Sequence, residues 1–227
     1  MSVHKVPGTY VVDVCGTLVR DDTTLGVLRH HFRCSEGRLG RRWFFDAMTR
    51  RHSPIWFGFA VAEKLSGRHL LKHFAVRLLA GDSVESLQES ASEYAAWLLA
   101  ERKVPAVWHR LESPLANGHV VLASASLGPV VSALAGKMSV DYVASSLEEA
   151  NGRLTGRYAR DLTGRKEEAL REKYAPEVAA GFECVLTDNW TDRNLVEKAK
   201  KACVVLHKPS HRARWNGVNA EFIGVDQ

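Results

Sequence analysis

Apolar residues along this chain fall into two kinds of pattern. Short runs rich in β-branched residues occur at Tyr10–Val12, Val120–Ala123, Tyr142–Ala144, Cys184–Thr187 and Ala202–Leu206, and each reads as a buried strand. Between the first two, from Leu25 to Arg102, the pattern is helical throughout. Leu25, Leu28, His31 and Phe32 share one helix face. Arg41–Phe45 opens a second helical piece, interrupted at Ser53-Pro54 because proline is tolerated only near a helix start. Ile55–Leu65 runs on to Ser66-Gly67, and Leu70–Leu79 follows. Gly81-Asp82-Ser83 stops one helix and starts another, Ser83–Glu101, with Leu87, Tyr94 and Leu98 near one stripe.

Beyond Arg102 strands and helices alternate. Helices are expected at Pro105–Ala116, closed by Asn117-Gly118, at Gly128–Lys137 with Ser126 as its natural cap, at Arg165–Tyr174, at Pro176–Ala180 and at Asp192–Lys201. Asn151-Gly152 is a strong hairpin signal. The alternation predicts a three-layer α/β core with a mostly parallel sheet covered on both faces. The helical block then reads as an insertion, giving a core of residues 1–22 and 103–227 and a helical unit at 23–102.

Length and charge narrow the class only a little. The 227 residues suit one large domain or a core with a modest insertion, and 45% hydrophobic content supports a real core. The net charge of +5 is mildly basic and no single basic block dominates, so no nucleic-acid partner is inferred. His207–Trp215, basic with one aromatic, reads as a solvated C-terminal segment. Cys15, Cys34, Cys184 and Cys203 form no C-x-x-C pair, and the start of the chain leads straight into the first strand without a signal peptide. Reduced thiols and a cytoplasmic location are the expectation. No run approaches the ~18 apolar residues of a membrane span. His69 and His73 lie at i, i+4, but without a third ligand they read as a surface face and not as a zinc site. The oligomeric state is left open.

Candidate chemistry clusters at strand ends. Asp13 follows the first strand, where ligands gather in open α/β sheets; alone it is a turn-starter, a metal ligand or a nucleophile. Ser124 follows the second strand, so its hydroxyl can donate to a ligand; a helix cap or a small packing residue is the plainer reading. Lys166 opens a helix after Gly164, and among 31 basic residues a solvated lysine is the default. Asp188 and Asp192 follow Val185–Thr187; a helix N-cap with a first-turn acid is the structural alternative.

Taken together, a strand ending in Asp-x-x-x-Thr (Asp13 to Thr17), one ending in Ser124, the lone Lys166 and a strand ending in Asp-x-x-x-Asp (Asp188 to Asp192) resemble the haloacid dehalogenase superfamily. The phrases Asn117–Ser126 and Asn151–Arg157, with a four-helix insertion, are most similar to its phosphoserine-phosphatase-like branch (subfamily IB). The resemblance covers essentially the whole chain. It implies a Rossmann-like core with a C1-type helical cap, and Mg²⁺-dependent hydrolysis of a phosphate monoester of a small soluble metabolite through an aspartyl phosphate on Asp13. It implies Mg²⁺ held by Asp13, the Cys15 carbonyl and Asp188, with Asp192 orienting its waters. Lys166 bridges nucleophile and phosphate, and Gly16, Thr17, Ser124 and Ala125 complete the phosphate site. The departure is Cys15, where most phosphatases of the superfamily carry a second Asp that donates and then removes a proton. A thiol is a weak donor with an ordinary pKa of about 8.5. The rival expectation is therefore a silent member that binds a phosphorylated ligand or a protein, or a phosphotransferase. For reading the substrate, Arg41–Arg51 is the best candidate stretch.

Overall fold

The computed structural model describes residues 8–34, 39–67 and 70–224; His69 lies outside them. Seven strands form one sheet: β1 Thr9–Val12, β2 His119–Leu127, β3 Asp141–Ala150, β4 Arg153–Arg160, β5 Cys184–Thr187, β6 Lys201–Leu206 and β7 Glu221–Gly224. Their order across the sheet is β4-β3-β2-β1-β5-β6-β7, parallel except for the β3–β4 hairpin. β1 is central, pairing Val11 with Val121 on one side and with Val185 on the other.

Alternation along the strands gives the sheet two apolar faces. Val12, Leu122, Leu186 and Val205 point to one face, and Val11, Val121, Val185 and Val204 to the other. The first face packs against α6 (Pro105–Asn117) and α7 (Gly128–Met138), with α5 (Val84–Glu101) stacked on α7; the second packs against α8 (Lys166–Lys173), α10 (Arg193–Lys198) and Trp215. The sheet is thus covered on both sides, as the alternation requires. β7 was not foreseen, since only Phe222 and Ile223 mark it as apolar at the edge of the sheet. Asn151 and Gly152 both adopt left-handed φ, 53° and 72°, and close the expected hairpin.

Among the described residues the block 23–102 holds five helices: α1 Thr23–Cys34, α2 Leu39–Thr49, α3 Pro54–Ser66, α4 Leu70–Arg77 and α5. That is one more than the expected four. Ser53-Pro54 separates two helices: Ser53 accepts from Trp56 N at 2.9 Å and Pro54 occupies the first helical turn. The chain leaves and re-enters the core side by side, with Arg20 N donating to Arg102 O at 2.7 Å and Val104 N to Leu18 O at 3.2 Å. Apolar packing is unbroken across this crossing, because Leu87, Tyr94 and Leu98 of α5 share one cluster with Val130 and Leu134 of α7.

Where α1 meets α5, a Cβ on Gly26 would fall 1.8 Å from Tyr94 Oη, whose hydroxyl donates to Asp21 Oδ2 at 2.8 Å. Gly26→Ala must displace Tyr94 and should cost about 1–3 kcal/mol. Gly136 on α7 has open space around it, and Gly136→Ala should add up to about 1 kcal/mol. Denaturant midpoints of the two variants should therefore move in opposite directions; a shared sign would contradict the packing.

Candidate active site

β1, β2 and β5 end on one edge of the sheet, and a cleft of about 860 Å³ opens there. Asp13 is buried at its floor, with its N–H donating to Leu186 O at 2.9 Å. Its Oδ1 accepts from Val14 N at 2.8 Å and faces Lys166 Nζ at 2.8 Å. Lys166, only 3% exposed, meets Asp192 Oδ2 at 2.7 Å on its other side. Thr187 donates to the same oxygen at 2.8 Å. Asp13, Lys166 and Asp192 thus form one buried chain of alternating charge. Burial opposes the charge on Lys166, yet the two carboxylates outweigh it and raise the ammonium above its ordinary value. Burial pushes the Asp13 carboxyl up to about 7, against the pull of Lys166 and with Asp192 and Asp188 adding to the push.

Asp188 lines the cleft beside Asp13 and is braced from behind. Its Oδ1 accepts from Thr17 Oγ1 at 3.1 Å, and its N–H donates to Thr17 Oγ1 at 2.8 Å. Gly16 is required between them: its φ is 72°, and a Cβ there would lie 2.3 Å from Asp188 Oδ2. Of the helix-cap alternative, only position survives: Asn189 caps the following turn by accepting from Thr191 N, and Asp192 stands at the N-cap of α10 but makes no side-chain cap bond there.

Thr17 is fully buried with its hydroxyl committed to Asp188, and the Gly16 N–H goes to Val19 O at 2.9 Å, so Thr17 braces the aspartate. Asp192 turns Oδ2 to Lys166 and Thr187, behind the residues that line the cleft. One expectation needs correction. Ser126 does not cap α7, whose N-cap is Leu127.

Ser124 and Ala125 stay at the cleft. β2 slips register against β3 between Ala123 and Leu127, and this irregularity turns Ser124, Ala125 and Ser126 toward the site. Ser124 Oγ accepts from Ser126 N at 3.1 Å, which leaves its own proton for a ligand. Ser126 belongs to a different cluster. Cys15 Sγ lies 2.8 Å from Thr23 Oγ1 and 3.0 Å from Ser126 Oγ, and the two hydroxyls are 2.5 Å apart. Three protons serve three acceptors in a closed triangle. Burial, followed by the Asp22 and Asp13 carboxylates, pushes the Cys15 thiol up to about 11.

The donor set fits a hard divalent cation. Three carboxylates, Asp13, Asp188 and Asp192, gather around Lys166 and His207, and the two that line the cleft, Asp13 and Asp188, offer carboxylate oxygens.

Sequence reasoning missed much of the cleft wall. His207 Nε2 donates to Gly16 O at 2.8 Å and lies 3.3 Å from Asp188 Oδ2, an interaction that holds its imidazolium above the usual range. His211 and Arg214 also line the cleft, from a 3₁₀ turn (Pro209–Trp215) anchored by buried Trp215 against Trp190. The segment expected to be solvated is a wall, and its signal was its place after β6 on the ligand-bearing edge. From the helical block come Thr24, Leu25, Glu63, Leu71 and Lys72. Lys72 Nζ donates to Ala125 O at 2.7 Å and Thr163 Oγ1 at 3.1 Å. None of Arg41–Arg51 lines the cleft; Arg41 instead pairs with buried Asp82 at 2.7 Å.

The sequence profile of haloacid dehalogenase-like hydrolases matches residues 11–197. A search of curated protein sequences finds no match. Among solved structures, a Bordetella pertussis Tohama I protein of unknown function aligns with a TM-score of 0.75 at 19% identity, over 96% of this chain and 99% of that one. A phospho-aspartyl intermediate analogue of phosphoserine phosphatase aligns with a TM-score of 0.56 at 16% identity, over 98% and 95%. Cytosolic 5'-nucleotidase IIIB bound to cytidine aligns at 0.65 and 13%, over 96% and 80%. At these identities the structures speak for the fold, and the profile, spanning most of the chain, identifies it: the protein belongs to the haloacid dehalogenase-like hydrolases.

Proposed function

We propose that this hydrolase is a Mg²⁺-dependent phosphatase of small phosphate monoesters, working through a phosphoaspartate on Asp13. The observation that carries this reading is the buried Asp13–Lys166–Asp192 chain at the floor of the cleft, which fixes one carboxylate beside one ammonium. The side-by-side crossing at Arg20 and Arg102 supports taking residues 23–102 as a cap over a core of 1–22 and 103–227.

In this reading an Asp13 oxygen attacks phosphorus, and the bond to the leaving oxygen breaks with its electron pair on that oxygen. Ser124 donates to a phosphoryl oxygen and Lys166 balances charge on nucleophile and phosphate. Asp13, Asp188 and the Cys15 carbonyl would hold Mg²⁺, which would supply the positive charge an anion needs to approach a dianionic ester. Water then attacks the phosphoaspartate, releasing phosphate and restoring Asp13.

Residue 15 limits both proton transfers. At a pKa near 11 only about one thiol in 10⁴ is ionised at pH 7, so Cys15 is no base for the attacking water. Its sulfur is already engaged with the Thr23 and Ser126 hydroxyls. This favours good leaving groups, and it is the observation behind the second reading, a member that binds phosphorylated ligands without releasing product.

Two predictions follow from these assignments. The rate should fall steeply from phenyl to alkyl phosphates as leaving-group pKa rises. Cys15→Asp places a carboxylate among the Thr23 N–H and the two hydroxyls, and should raise alkyl-ester turnover by roughly 10²-fold. Asp13→Asn should be inactive on every ester. A shallow slope in the native protein would assign the proton to another group, and no turnover of even activated esters would favour the silent reading. Separately, Mg²⁺ should raise the melting temperature in a concentration-dependent way, and Asp188→Asn should remove most of that rise. A full response in the variant would contradict the metal assignment.

A further inference from the structure

We propose that the outer face of α2 and α3 docks onto an anionic lipid bilayer. Helix α3 is apolar nearly all round, with Glu63 and Lys64 its only charged residues, yet none of its residues is fully buried. Such a helix is expected inside a core or against an apolar partner. One side does face the protein: Ile55 and Phe59 pack on the core cluster, and Phe59 meets Phe74 edge-on at 5.2 Å. The other side carries Phe57, Val61 and Leu65, one per turn, at 64%, 43% and 83% exposure. α2, packed beside it, buries Phe45 and Met48 and presents Leu39 and Trp43 at 78% and 69%. Five large apolar side chains on two adjoining helices exceed the scattered exposure normal for a monomer.

Charge selects the occupant. Arg42, Arg50, Arg51 and Lys64 are exposed on this helical pair. Its only acids are Asp46, which faces Arg42 at 4.0 Å, and Glu63, which turns to the cleft and accepts from Leu71 N. A two-fold dimer would set this basic face against itself. An anionic bilayer accepts the aromatic and leucine side chains at the headgroup boundary and pairs the rim of Arg and Lys with lipid phosphates. Insertion is in the plane of the surface: at 13 residues α3 is shorter than the ~20 that a span needs. Val61 and Glu63, two residues apart, point roughly 160° from each other, so docking leaves the cleft clear.

Flotation of the full chain with vesicles tests this. Recovery is expected with vesicles of phosphatidylcholine and phosphatidylglycerol, not with phosphatidylcholine alone, and should fall as salt rises. Phe57→Ser combined with Leu65→Ser should weaken binding about tenfold or more at an unchanged melting temperature. Arg50→Glu with Arg51→Glu should also weaken it about tenfold or more while leaving the apolar stripe intact. Hydrolysis of a soluble ester should be unaffected by either pair. No recovery with phosphatidylglycerol vesicles, or full recovery of both variants, would overturn the proposal. So would a native dimer that the Phe57 and Leu65 substitutions dissociate, which would give this face to a second copy.

Discussion

A lysine ammonium almost fully removed from water is tolerable only when it is paired, and breaking such a pair costs several kcal/mol. Lys166 meets this condition through Asp13 and Asp192, and much of the architecture serves the triple. Asp13 ends the central strand, Lys166 starts α8, Thr187 ends β5, and Asp192 closes the turn that follows. Only a parallel sheet with β1 between β2 and β5 brings these ends to one edge. The same order places Ser124 at the mouth of the cleft and lets Thr17 brace Asp188.

In the proposed reaction, residue 15 sets the proton chemistry around this fixed centre. The turn after β1 brings Cys15 to the position a proton-transfer group would occupy, and the structure surrounds the thiol with Thr23 and Ser126. Those neighbours are suited to a carboxylate, which would accept from both hydroxyls and from the Thr23 N–H. With sulfur there, the proposed nucleophile Asp13 and its charge partners remain in place, and the proposal expects weak proton transfer. Lys72 ties α4 of the helical block to Ala125 and Thr163 of the core, so the cleft's upper wall is fastened to the segment that carries Ser124.

Much of this was legible in the chain. The strands announced themselves as β-branched runs, and Asn151-Gly152 as a hairpin, because local sterics decide both. Asp13, Ser124, Lys166 and Asp188 stand at element ends in the sequence, and the fold brings all four to one cleft. Their partners are not legible, since these depend on which side chain each meets across the fold. Thr17 and Asp192 each hold another residue of the cluster from behind, which no local pattern announces. His207 and Lys72 were overlooked because a lone cation among many carries no local signal. Arg41 stood out beside Trp43 in sequence, yet its guanidinium goes to buried Asp82.

The central claim is that Asp13 itself becomes phosphorylated. Incubating the protein with Mg²⁺ and a labelled acyl phosphate, quenching in acid and reducing with borohydride tests it, because reduction converts a phosphoaspartate to homoserine at the modified position. The account predicts acid-stable, hydroxylamine-labile label and homoserine at position 13 alone. Label at Cys15 or His207, or no covalent label while phosphate is still released, would contradict it.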